Sequence, residues 1–238
     1  MCGMTEESKI ILRVSDLDVS FGPERVIENL DFEIKQGEVL AIVGPNGAGK
    51  SVLFRTLLGL IPHGGKIQWS SGIQIGYVPQ RLFVEPGLPL SVEEFLGFNT
   101  DSKEKIKSAL ASVGLKDDNI IRQKLGLLSG GQLQRVLIAW AIVKDPNVLL
   151  FDEPTAGIDI GGEETVYNLL HQLQERNDLT VLLISHDLNI VYKYADTVLC
   201  LNKSKICFGE PSVALDPASL SALYGGEAKF YQHQHDKA

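Results

Sequence analysis

The 238-residue chain has no apolar run long enough to cross a bilayer. Its longest, Val136 to Val143, has 8 residues, against the ~20 that a spanning helix needs. Met1 to Ser8 is polar and acidic, so no signal peptide is expected there. No apolar segment precedes Cys2, which argues against a lipoprotein site. Basic charge is also short: 22 Lys+Arg stand against 30 Asp+Glu, a formal net charge of -8. Nucleic acid is therefore not an expected partner, because affinity for it comes mostly from Lys and Arg neutralising phosphates. Cysteine is scarce as well. Cys2, Cys200 and Cys207 form no CxxC, and three thiols cannot all pair. They read as buried or incidental thiols in a reduced, cytosolic compartment.

What is present is ordinary globular material, 44% hydrophobic and 22% charged. That much apolar side chain can offset the entropy of ordering the chain. The length suits one large domain, or one carrying a small insert.

Apolar and polar residues alternate over 10–19 and again over Val26 to Ile34, which predicts two strands. Val39 to Val43 is continuously apolar, as in a strand covered on both faces. A helix-like stretch follows over Val52 to Leu60, then strand character at Trp69 and Ile73 to Val78. From 88 to 143 helix signals dominate, including the capping box Ser91-Val92-Glu93-Glu94 and a helical spacing over Ser102 to Val113. Asn147 to Phe151 and Thr180 to Ile184 again read as buried parallel strands, separated by a helix near Glu163 to Arg176. Strands at Thr197 to Leu201 and Lys205 to Phe208 precede short helical turns. Strands separated by helices predict a wound α/β core with a helical insert.

The strongest chemical signal is Gly44-Pro45-Asn46-Gly47-Ala48-Gly49-Lys50-Ser51, which matches G-x-x-x-x-G-K-[ST]. It follows an apolar strand and opens a helix. Glycines let backbone N–H groups curl around phosphate oxygens, and a helix N-terminus favours negative charge. Lys50 can reach the β and γ phosphates, and the Ser51 hydroxyl can hold Mg²⁺. About a hundred residues later, Val148-Leu149-Leu150-Phe151 ends in Asp152 and Glu153. Ligands of wound α/β folds sit at the carboxyl ends of strands. Asp152 is placed for the Mg²⁺ shell and Glu153 for orienting or deprotonating a water.

Leu128-Ser129-Gly130-Gly131-Gln132 resembles the signature motif of ATP-binding cassette proteins. The order of the other motifs is similar too: Phe21, the phosphate loop, Gln80 after a strand, the signature, Asp152-Glu153, Ala156-Gly157-Ile158-Asp159, then Ser185-His186-Asp187. The resemblance covers residues 10–224. It implies a single nucleotide-binding domain: a P-loop core of RecA-like wound sheet plus antiparallel β subdomain, with 81–144 as inserted helical subdomain. Residues 225–238 are then a polar tail.

It implies ATP and Mg²⁺ as ligands and a head-to-tail homodimer. Each ATP would lie between the loop residues Gly44 to Val52 of one subunit and Ser129, Gly130, Gly131 and Gln132 of the other. By the same resemblance Phe21 stacks on adenine and Gln80 contacts Mg²⁺ and the attacking water. His186 contacts the γ-phosphate, and Asp159 communicates across the dimer. Trp140 stands where many relatives have arginine and reads as a packing residue. Val52 stands where threonine is common, a change that leaves Mg²⁺ binding intact.

The segments Ile75 to Arg81, Leu88 to Val92 and Val198 to Asn202 resemble ATPase subunits of bacterial zinc importers. This implies separate permease chains, an extracytoplasmic metal-binding protein and a place on the cytoplasmic face of the membrane. Manganese or iron importers of the same branch are the alternative. A soluble cassette ATPase without a membrane partner is a second. A cassette of DNA repair or translation is a third, but the chain has no long coiled coil, duplicated cassette or basic surface to suggest it. His233 and His235 in the tail suit weak transition-metal binding, or a plain polar terminus.

Overall fold

The structure, a computed structural model, describes residues 9–80, 82–85, 87–153, 171–172 and 179–225. β1 (Ile10–Phe21) pairs antiparallel with β2 (Glu24–Lys35) on one side and β4 (Gly64–Trp69) on the other, giving a three-stranded sheet in the order β2-β1-β4. A six-stranded sheet contains β3 (Val39–Val43), β5 (Ile75–Val78), β6 (Val148–Asp152), β7 (Thr180–Ile184), β8 (Thr197–Asn202) and β9 (Ser204–Gly209). Its order is β5-β6-β7-β3-β8-β9, parallel except for β9, which runs antiparallel to β8. This is the α/β architecture expected, with a wound sheet and a separate antiparallel one.

Every residue of β3, β6 and β7 is buried, and their two faces enter different cores. Val148 and Leu150 of β6 pack with Leu12, Leu17, Ile27 and Leu30 of the antiparallel sheet. Leu149 and Phe151 face the helices. Each fully buried side chain of this kind contributes roughly 1.5–3 kcal/mol relative to exposure. The unbroken apolar strands are thus explained by layers on both sides. α1 (Lys50–Leu57) buries Leu53 and Phe54 in the first of these cores.

Between β5 and β6 the described elements are helical: α2 (Val92–Gly97), α3 (Lys103–Ser112), α4 (Asp118–Arg122), a short 3₁₀ turn at Leu125–Leu127, and α5 (Gly130–Ile142). Ser91 and Glu94 form the expected capping box. Trp140 stacks on Phe95 at 5.8 Å between ring centroids, a packing role as expected. α5 lies tight on β5. A Cβ on Gly76 would come within 2.6 Å of the Ala141 carbonyl oxygen, so only glycine fits there. α6 (Leu188–Tyr194), α7 (Pro211–Ala214) and α8 (Pro217–Tyr224) cover Val43, Val198 and Cys200. Among the described residues no helix is long and apolar enough to cross a membrane.

Three local readings change. β4 begins at Gly64, well before Trp69, because pairing with β1 recruits Gly64, Gly65 and Lys66 despite weak strand preference. α1 stops at Leu57, short of Leu60. Gly59 turns left-handed (φ 72°) and its N–H bonds Thr56, while the Leu60 N–H bonds Arg55, closing the helix end. The third change concerns the thiols. Cys200 and Cys207 lie opposite each other across β8 and β9, with Cα atoms 4.8 Å apart, and are joined by a disulfide. The expectation of three reduced thiols is therefore corrected for this pair. A tight hairpin brings together two cysteines that spacing alone does not show to be partners. The helix expected near Glu163 to Arg176, and also Cys2, Arg81, Asp159, His233 and His235, lie outside the described residues, apart from 171–172.

Candidate functional site

The loop Gly44 to Gly49 joins the buried strand β3 to α1. Its first residue packs against the neighbouring strand so closely that a Cβ on Gly44 would collide with the Leu201 carbonyl oxygen. Gly49 enters the helix from the left-handed region (φ 97°), and no side chain caps α1. The first amides of the helix are therefore available to an anion at the loop.

Lys50, only 7% exposed, folds back across this loop. Its Nζ donates to the carbonyl oxygens of Gly44 at 2.8 Å and Pro45 at 2.9 Å. Burial lowers its pKa, while the negative charges of Glu153 and Asp152 push it back up. An ammonium held this way can exchange weak carbonyl acceptors for phosphate oxygens.

Asp152 ends β6 and is 4% exposed. The Ser51 hydroxyl donates to its Oδ1 at 3.1 Å, and the Tyr77 hydroxyl to its Oδ2 at 3.4 Å. Burial raises the Asp152 pKa, and the charge of Glu153 adds to this. The Ser51 and Tyr77 hydrogen bonds and Arg55 oppose it. Tyr77 is itself pushed up to about 12, first by burial and then by the charge of Asp152. Ser51 and Asp152 together present hard oxygen donors, the set that suits Mg²⁺. The residues present thus fit the ion that the motif implies.

Glu153 follows in the left-handed region (φ 46°), uncommon for a residue with a side chain. Its N–H donates to the Ile184 carbonyl at 3.2 Å, which holds the turn. The turn aims its carboxylate at Gln80, whose Nε2 donates to Glu153 Oε2 at 2.6 Å. A cavity of about 410 Å³ is lined by Val26, loop residues 46–52, Gln80 and Glu153. One carboxylate, one buried ammonium and the loop residues line it, and Asp152 reaches it through the Ser51 hydroxyl.

Other expected residues lie apart. Phe21, at the end of β1, is 51% exposed, and His186 is exposed just beyond β7; neither lines that cavity. Ser129 caps α5. Its Oγ accepts from the Gln132 N–H at 3.3 Å, and its own N–H donates to Gln132 Oε1 at 3.0 Å. Ser129 and Gly130 are exposed and do not line the cavity. Tyr77 had no assigned role from sequence. The available signal was its position three residues before Gln80, on a strand bound for the same end of the sheet.

The ABC transporter family matches residues 27–156, from β2 through the loop, the signature helix and the two carboxylates. The chain belongs to the ABC transporter family. It is similar to the zinc import ATP-binding protein ZnuC of Photorhabdus laumondii, 39% identical over 95% of this chain and 90% of the relative. It is likewise similar to the protein of that name from Pseudomonas aeruginosa, 40% identical over 96% of this chain and 86% of the relative. Among solved structures, a chain of an ABC transporter described as of metal-chelate type, in an inward-facing conformation, superposes with a TM-score of 0.80. It shares 31% identity over 90% of this chain and 89% of that one. CbiO1 from Clostridium perfringens, part of the ABC transporter complex cbiONQ, gives a TM-score of 0.74 at 30% identity, over 87% and 90%. The chain is an ABC ATPase, and the loop and both carboxylates lie within the residues that the family matches.

Proposed function

We propose that this chain is the ATP-hydrolysing subunit of an importer that brings zinc across the cytoplasmic membrane. The observation that carries the ATPase reading is that Lys50, Ser51, Gln80 and Glu153 line one loop cavity, with Asp152 bonded behind Ser51 and Gln80 bonded to Glu153. The zinc reading is supported by the names of relatives that match nearly the whole chain.

The loop amides and Lys50 bind the β and γ phosphates of ATP. Ser51, Asp152 and Gln80 would hold Mg²⁺, which when bound supplies charge neutralisation at those phosphates. Glu153 accepts the proton of the attacking water or fixes its orientation, and Gln80 holds the Glu153 carboxylate in place. Phe21 stacks on the adenine, and His186 contacts the γ-phosphate. Ser129, Gly130, Gly131 and Gln132 face the ATP of a second copy in a head-to-tail homodimer, where Asp159 communicates between sites. Exposure of Ser129 and Gly130 supports this reading, since a motif meant for a partner must stay accessible. The unit spans residues 10–224, with 81–144 as helical subdomain and 225–238 as a tail in which His233 and His235 suit weak metal binding. Permease chains supply the membrane path. An extracytoplasmic metal-binding protein delivers the ion, and the ATPase sits on the cytoplasmic face.

Uptake of zinc and manganese into vesicles holding the complete transporter tests this. ATP-dependent zinc uptake, lost on Glu153→Gln, is expected. Uptake of manganese alone would overturn the zinc assignment and leave the ATPase reading standing.

A further inference from the structure

The β8–β9 hairpin braces the phosphate loop. At its turn Lys203 is left-handed (φ 63°), its N–H donates to the Ala48 carbonyl at 3.2 Å, and its carbonyl accepts from the Glu28 N–H at 2.9 Å. One strand residue earlier than Asn202, the Leu201 carbonyl abuts Gly44. The two strands of this hairpin are cross-linked by Cys200, which is buried, and Cys207, which is half-buried.

We infer that Cys200 and Cys207 form a reversible thiol–disulfide site that sets how firmly the phosphate loop is held for ATP. In a reducing compartment a disulfide is usually transient, catalytic or redox-sensing rather than structural. The co-reactant is a low-molecular-weight disulfide. The thiolate of Cys207, the less buried residue, attacks one sulfur of that disulfide, forming a mixed disulfide and releasing one small thiol. The Cys200 thiolate then attacks the Cys207 sulfur and releases the second small thiol. Two protein thiols are oxidised and one small disulfide is reduced to two thiols, which carry away both protons.

Cross-linking removes freedom from the strand pair whose turn holds Ala48 and whose backbone fills the space beside Gly44. A loop already ordered loses less freedom on binding, so the oxidised form binds nucleotide more tightly. The expected factor is about 5-fold, at the low end of typical coupling between sites. Coupling is reciprocal, so saturating nucleotide must shift the thiol–disulfide equilibrium toward the disulfide by the same factor.

This inference rests on the reading that the loop binds ATP. The test equilibrates the purified full chain in glutathione buffers of varied thiol-to-disulfide ratio, with and without a non-hydrolysable ATP analogue. Peptide mass mapping is expected to find Cys200 linked to Cys207 within one chain. Analogue affinity should be about 5-fold tighter when oxidised, and Cys207→Ser should remove the difference. Equal affinity in both states, a bond through Cys2 instead, or a response retained by Cys207→Ser would overturn the inference. Binding in neither state would overturn the nucleotide reading, and this inference with it.

Discussion

Gln80 and Glu153, 73 residues apart in sequence, meet through a 2.6 Å hydrogen bond from the amide to the carboxylate. The bond joins the segment after β5 to the end of β6 in the wall of the loop cavity. Glu153 is the group suited to activate water, and Gln80 fixes one of its oxygens. Glu153→Gln removes the base but keeps the side-chain shape. ATP binding should be preserved while turnover falls about 10²–10⁴-fold, the usual contribution of a positioned base. Steady-state phosphate release together with equilibrium nucleotide binding checks both halves. Undiminished turnover would remove Glu153 from that role.

Tyr77→Phe deletes the hydroxyl that donates to Asp152 Oδ2 and leaves the ring in place. A bond to a charged group, long as this one is, contributes about 1 kcal/mol. The metal-free protein should therefore melt roughly 2–4 °C lower, while metal-free nucleotide binding stays unchanged. Thermal melts of both proteins in EDTA read this directly.

Gly44→Ala forces a methyl group into the Leu201 carbonyl. Overpacking of this kind costs about 1–3 kcal/mol, and at this chain length each kcal/mol lowers Tm by roughly 2–4 °C. A lower Tm together with weaker ATP binding is expected, because the displaced residue belongs to the loop itself. A thermal melt and a binding isotherm suffice.

Asp152 makes stability depend on pH. Its folded pKa is raised by burial above its unfolded value, so the folded state binds the proton more tightly than the unfolded state. The stabilising contribution is complete below roughly pH 4, the unfolded pKa, and is lost as pH rises through the folded pKa. In metal-free protein, Asp152→Asn should therefore raise Tm at pH 7.5, with a margin that shrinks toward pH 4.5, while Mg²⁺-dependent hydrolysis is lost. Thermal melts in EDTA at the two pH values decide it. A lower Tm for the variant at pH 7.5 would show that the Ser51 and Tyr77 hydrogen bonds outweigh the cost of burying the charge.

Strands β3, β6 and β7 were legible in the sequence because burial on both faces confines their polar residues, Asp152 and Thr180, to the strand ends. The phosphate loop was legible because its glycines, Lys50 and Ser51 are local in the chain. Trp69 marked β4, but its start at Gly64 was not legible, since those glycines become strand only through their partner β1. The contact of Gln80 with Glu153 and that of Tyr77 with Asp152 depend on which strands lie side by side, which local pattern does not encode. The Cys200–Cys207 pairing depends on hairpin register in the same way.

The missing side chain at Gly76 has a mechanical consequence. Because the α5 backbone rests directly on β5 there, the helix that begins at the signature and the strand that leads to Gln80 are braced against each other like two arms on one hinge pin. Any displacement of one must therefore be followed by the other, because no side chain lies between the two backbones to take up the slack.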